Sequence, residues 1–144
     1  MEYSRRDLSL LLPALLAAAS HAAAEEGPLP SKAYEFTSLP VKTNPKNHNQ
    51  SRQVFRGETY QNVPIDLHIT TLMPGEMPHP PHRHTHEELM MIQKGTLEFT
   101  ISGQSSRVGP GSVTFIHSQD LHGLKNVGDS PAQYFVLAIG NQNS

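Results

Sequence analysis

The chain has 144 residues, no cysteine, and 11 Lys+Arg against 13 Asp+Glu for a net charge of −2. That balance excludes a phosphate-tracking basic surface, and so a nucleic-acid partner; the missing thiols exclude a disulfide framework, a cysteine nucleophile, a sulfur-held structural zinc and an iron–sulfur cluster. Chemistry here must use nitrogen and oxygen, and six of the nine histidines fall between His79 and His122.

At the N-terminus, Arg5-Arg6 precedes an apolar run from Leu8 to Ala19 broken only by Ser9 and Pro13. As a helix at about 1.5 Å per residue the run covers roughly 18 Å, short of a hydrocarbon core of about 30 Å. It reads as a signal peptide over residues 1–24, with small residues Ala22-Ala23-Ala24 placing cleavage before Glu25. The arginine pair resembles a twin-arginine export signal, and a general-secretion leader accounts for it equally well. Either route makes the mature chain periplasmic or secreted, with no membrane attachment after cleavage. The 120 residues left of the 144 are enough for one domain.

Residues 25–50 carry Pro28, Pro30, Pro40 and Pro45, which rules out a helix and leaves an extended arm lying on the body or on a partner subunit. Residues 51–144 are the domain. From Val54 onward, short runs of β-branched, aromatic and methionine residues alternate with Gly, Pro, Asn and Asp. Asp66 to Met73 alternates, with Leu67, Ile69, Thr71 and Met73 on one face and Asp66, His68, Thr70 and Leu72 on the other. Further strands are expected over Glu88–Gln93, Thr96–Ile101, Ser112–Ile116 and Gln133–Ile139, with turns at Lys94-Gly95, Ser102-Gly103 and Gly109-Pro110-Gly111. The fold class is all-β, and about eight strands in roughly 90 residues close most economically as a roll or barrel. Met73, Met90, Ile92, Leu97, Phe99, Phe115 and Val136 are the expected core.

The stretch from Gly75 to Glu88 contains His79, His82, His84 and His86. On an extended strand His82 and His84 share a face about 7 Å apart, so their imidazoles can converge on one ion with metal–nitrogen bonds near 2.1 Å. Glu88 has the same parity but stands about 20 Å further along a straight strand. It reaches the same ion only if the chain turns back within Thr85-His86-Glu87. One segment cannot surround an ion, so a fourth ligand must come from another strand, and His117 and His122 are the candidates.

These residues resemble the cupin superfamily, in particular its small single-domain bacterial members. The first motif of that family, Gly, His-x-His, three residues, Glu, six residues and Gly, is matched by Gly75, His82, His84, Glu88 and Gly95, with one extra residue between Gly75 and His82. The second is matched by Gly111, His122 and Asn126, with His117 and Gln119 where the family has the Pro and Gly of its turn. The resemblance, running from about Asp66 to Ile139, implies a cupin jelly-roll (double-stranded β-helix) barrel and a homodimer. It implies one divalent transition metal, Fe, Mn, Ni, Cu or Zn, held by His82, His84, Glu88 and His122, with Glu88 able to leave the metal and act as a base. Three imidazoles and a carboxylate suit those ions and leave one or two positions for water, dioxygen or a small-molecule substrate. The expected function is a small-molecule oxidoreductase of dioxygenase type. The alternatives are a non-catalytic metal-dependent binding or sensing module, and another cupin activity such as an isomerase, decarboxylase or lyase. His79, His86 and His117 are read as rim groups or supports of the ligands, His68 as a residue of a partly solvated strand face, His48 as a loop residue, Glu87 as solvent-facing, and Arg83 as a surface ion-pair group.

Overall fold

The computed structural model describes residues 28–142. The leader expected over residues 1–24, its cleavage site, and the arm's first residues Glu25 to Gly27 lie outside the described residues. Within them nine strands occur: β1 (Val41–Thr43), β2 (Gln50–Glu58), β3 (Pro64–Leu72), β4 (Glu87–Lys94), β5 (Leu97–Ile101), β6 (Gln104–Val108), β7 (Val113–Ile116), β8 (His122–Asn126) and β9 (Ala132–Ile139). One 3-10 turn, Phe36–Ser38, is the only helical element among the described residues. The strands form antiparallel sheets of six, in the order β1-β2-β3-β9-β4-β7, and of three, β6-β5-β8.

The two sheets share one core. Leu72, Met90, Ile92, Ile116, Ala132, Tyr134 and Val136 from the larger sheet pack on Leu97, Phe99 and Leu124 from the smaller. This is the two-layer β architecture that the strand pattern leads one to expect. The two sheets face each other as the layers of the expected jelly roll. The segment before β4 lies against the small sheet through an isolated antiparallel bridge between His82 and His122. β1, inside the expected arm, pairs with β2 and extends the large sheet. Nearby, the Tyr34 ring stands 5.6 Å from that of Phe55 and the Arg52 guanidinium lies 4.6 Å over Phe36.

Register decides which residues face inward. Asp66 pairs with Ala138, Ala138 with Glu88, and Glu88 with Ile116; one row further in lie His68, Val136, Met90 and Thr114. Residues paired across antiparallel strands point to the same face. The inward face of β3 is therefore Asp66, His68, Thr70 and Leu72, although the opposite parity carries Leu67 and Ile69. Two core expectations are corrected accordingly: Met73 is half-buried beyond the end of β3, and Phe115 is 52% exposed on the outer face while its neighbour Ile116 is fully buried. His68 lies in the inward row of β3 at its open end, where its side chain is 34% exposed, the partly solvated position expected of it.

Turn chemistry follows the backbone. Ser102 and Gly103 both have positive φ and join the directly paired Ile101 and Gln104, a two-residue hairpin of the type that suits strand twist. Gly95 has φ 85, and a Cβ built there would lie 2.5 Å from the Cα of Ala132, so the turn between β4 and β5 admits only glycine.

Asp66 is the one carboxylate buried to 3% exposure in the sheet, and its oxygens are occupied: Gln53 Nε2 donates to Oδ1 at 2.9 Å, Arg56 Nε donates to Oδ2, and His68 Nδ1 lies 3.4 Å from Oδ1. Burial alone would raise its pKa; contacts with His68, Gln53 and Arg56 outweigh it and hold the group well below the usual carboxylate range. A depressed folded-state pKa contributes stability that is present above the unfolded value, about 3.9, and is lost as pH falls toward the folded one. Asp66→Asn is expected to lower unfolding stability by about 1.5–3 kcal/mol at pH 7. The gap to wild type should shrink as denaturation is repeated below about pH 4; a gap independent of pH would mean that the charge is not what matters.

Candidate metal centre

Two ligand-bearing segments meet because their backbones are tied together. His82 N donates to His122 O at 3.0 Å, and His122 N donates to His82 O at 3.0 Å. The approach requires Gly123, where a Cβ would stand 2.9 Å from Cγ of Pro81. Beyond the bridge the chain bends at Thr85-His86 and enters β4 at Glu87, which is the turn-back that lets Glu88 reach the histidines. The loop before β8 is held against the same segment: Gln119 N donates to His84 O at 2.9 Å, and the Arg83 guanidinium donates to Gln119 O. Arg83 is thus a loop clamp and not an ion-pair group. Gln119 occupies the position where the related motif has glycine, and it adopts the left-handed conformation, φ 68, that glycine would take. Asn126, the last residue of that motif, is fully buried. Its Nδ2 donates to the carbonyls of Leu72 and Ser130, both at 2.9 Å, and its Oδ1 accepts from Gly128 N at 3.0 Å.

The four residues expected at the site are brought to one place. Donor atoms of His82, His84 and His122 lie within 4.8 Å of one another. Glu88 stands among the imidazoles, with Oε1 3.4 Å from His84 Nε2 and Oε2 3.5 Å from His122 Nε2. Two donors bound to one cation at about 2.1 Å stand roughly 3.0–3.4 Å apart for right-angle to tetrahedral geometry, so these separations are close to those of neighbouring ligands. Orientation agrees with distance. His84 Nδ1 hydrogen-bonds the carbonyl of His86 at 2.8 Å, and His122 Nδ1 the carbonyl of Asp120 at 2.9 Å. With the proton on Nδ1 in each ring, both Nε2 atoms present lone pairs; both are buried and lack hydrogen-bond partners. An orphaned buried acceptor costs about 1–3 kcal/mol, and a cation would satisfy both.

Charge at the site favours ligation. Burial, then the imidazoles of His79, His122 and His84, push His82 down to about 4. Burial works to raise Glu88, but His122, His84 and His86 outweigh it and hold the carboxyl at about 2. His122 is raised, chiefly by that carboxylate. His82 and Glu88 are therefore unprotonated at neutral pH.

Of the remaining histidines, His117 is exposed, bonds the carbonyl of Ser118 and belongs to neither donor group. His79 is exposed, with its ring 4.1 Å from that of His82 at the rim. His86 is closer in than a rim group. Its side chain is 13% exposed, its Nε2 is 3.4 Å from Glu88 Oε1, and it forms a second donor group with His84 and Glu88. It shares the parity of His84 and Glu88, and although it stands in the turn its ring stays beside theirs, as expected of a group that supports the ligands.

A family model described as Cupin domain matches residues 68–139. No curated protein sequence matches the chain. Among solved structures, the chain is similar to KdgF from Halomonas sp., with a TM-score of 0.65 and 13% identity over 78% of this chain and 97% of that one. An RmlC-like cupin from Shewanella frigidimarina NCIMB 400 superposes with a TM-score of 0.64 and 10% identity over 78% and 95%. The DMSP lyase DddQ from Ruegeria pomeroyi DSS-3 is 28% identical over 56% of this chain and 40% of that one, with a TM-score of 0.50. The first two identities speak for the fold alone.

Gln119 gives the loop before His122 a simple test. A non-glycine residue in the left-handed region costs about 1–2 kcal/mol, part of which glycine loses to its greater freedom in the unfolded chain. Gln119→Gly should raise the melting temperature by a few degrees, read by calorimetry, since both backbone bonds of the residue survive. A lower melting temperature would show that the glutamine side chain stabilises the loop.

Proposed function

Since this chain belongs to the cupin family, we propose that it is a metal-dependent protein acting on a small oxygenated molecule, with His82, His84, Glu88 and His122 as ligands of one divalent transition metal. The observation that supports this most directly is the pair of buried, unpartnered Nε2 atoms on His84 and His122, turned toward Glu88 by their own Nδ1 bonds. When bound, such a cation polarises a substrate oxygen as a Lewis acid. The chain supplies the rest. Glu88 is an ionised carboxylate able to accept a proton from the substrate, and it stands on the same face of β4 as Met90 and Ile92, which with Tyr134 form a dry wall behind it.

Four protein donors leave room for a substrate oxygen and a further small ligand, which fits oxidoreductase chemistry of the dioxygenase type. A lyase is the second reading, favoured by the 28% identity to a DMSP lyase.

The test begins with chain loaded separately with Fe(II), Mn(II), Ni(II), Cu(II) or Zn(II). Metal at a hundredfold over its Kd adds about 2.7 kcal/mol of stability, so EDTA should lower the melting temperature of the loaded wild type by several degrees, and should not change that of His84→Ala. Oxygen uptake with catechols, flavonols and diketones is expected of a dioxygenase; alkene release from β-substituted acids without uptake would identify the lyase. Tight binding of metal and small molecule with no turnover would leave a binding module. A wild type indifferent to EDTA would end the metal reading.

A further inference from the structure

Resting on the metal reading above, we infer that His86 is a positioning residue and not a fifth ligand: it holds Oε1 of Glu88, so that the carboxylate meets the cation through Oε2 alone. The rings of His84 and His86 are stacked, with centroids 3.6 Å apart and planes inclined by 7°. An imidazole lone pair lies in the plane of its ring. A cation in the plane of His84 therefore sits about 3.5 Å out of the plane of His86, and the two rings cannot share it as they stand.

What His86 can do is donate. Its Nε2 lies 3.4 Å from Glu88 Oε1, and its Nδ1 is buried with no hydrogen-bond partner. If the proton were on Nδ1, a buried donor would be orphaned and a lone pair would face the carboxylate. With the proton on Nε2, the charge is met by a donor and only a neutral acceptor is left without a partner. The second state costs less, because an unpaired charge loses more on burial than an unpaired neutral group. Oε2, on the other side of the carboxylate, faces His122 Nε2 at 3.5 Å and is the oxygen left for the cation. His84 Nε2 also lies 3.4 Å from Oε1, so without His86 both oxygens are within reach of a cation shared by His84 and His122.

The experiment compares wild type, His86→Gln, which retains a donor near the Nε2 position, and His86→Leu, which does not. Pulsed EPR of the Cu(II)-loaded proteins should count three coordinated imidazoles in all three. Co(II) affinity should fall by about 10–100-fold in His86→Leu and stay within about threefold in His86→Gln. The infrared splitting between the carboxylate stretches on Zn(II) binding should be the wide one of a monodentate group in wild type and His86→Gln, and should narrow in His86→Leu. Four imidazoles in wild type falling to three in either variant, or a narrow splitting in wild type, would overturn the inference while leaving the metal reading intact. A wild type that takes up neither Cu(II) nor Co(II) would overturn both. Should His86→Leu fail to fold, the wild-type imidazole count and splitting still decide.

Discussion

The pair of backbone hydrogen bonds between His82 and His122 is the constraint on which the site depends. They join the approach to β4 with the small sheet and put two imidazole-bearing residues directly opposite one another. In a directly opposed pair the side chains leave the same face about 5 Å apart, which is what a shared cation needs. The observed ring centroids of His82 and His122 are 4.9 Å apart. Everything around the pair serves its closeness. Gly123 lets Pro81 lie against β8, Gln119 and Arg83 tie the preceding loop to the same segment, and Asn126 anchors the end of β8 to the carbonyl of Leu72 at the end of β3.

The electrostatics of the centre would be unfavourable in an ordinary core. Burial penalises a carboxylate, and several imidazoles packed together penalise one another's protonation. Here the two penalties are set against each other: Glu88 stays ionised because imidazoles surround it, and His122 is drawn toward the protonated form because Glu88 is beside it. The arrangement resembles a charge pair waiting for a better partner. A divalent cation would answer the lone pairs of His84 and His122 and the carboxylate charge at once.

How much of this is written in the sequence differs from element to element. The side-chain period of two in a strand made the shared face of His82 and His84 readable, and the distance from His84 to Glu88 forced the bend now found at Thr85-His86. Ser102-Gly103 announced its hairpin through local chemistry. β6, by contrast, carries Gln104, Ser105, Ser106 and Arg107, all exposed at a sheet edge, and so has no apolar alternation to reveal it. β8 was hidden for another reason: His122 lines the donor cluster, Gly123 permits a close approach and Asn126 anchors the end of the strand, and these residue types do not spell a strand. The inward face of β3 could not be chosen from its own residues, since Asp66 and His68 look solvent-seeking until Gln53 and Arg56 from β2 are placed beside them. His86 is legible only as a rim or supporting group, because its exact place depends on a stack with His84 that exists only after the bend.

Whether the four side chains share one cation can be read from a crystal of the metal-loaded chain, with anomalous diffraction collected at the absorption edge of the added ion. One strong peak is expected about 2.1 Å from Nε2 of His84 and of His122, within bonding distance of His82 and of a single oxygen of Glu88. A peak located elsewhere, or no ordered peak with the four side chains placed as described, would contradict a shared cation.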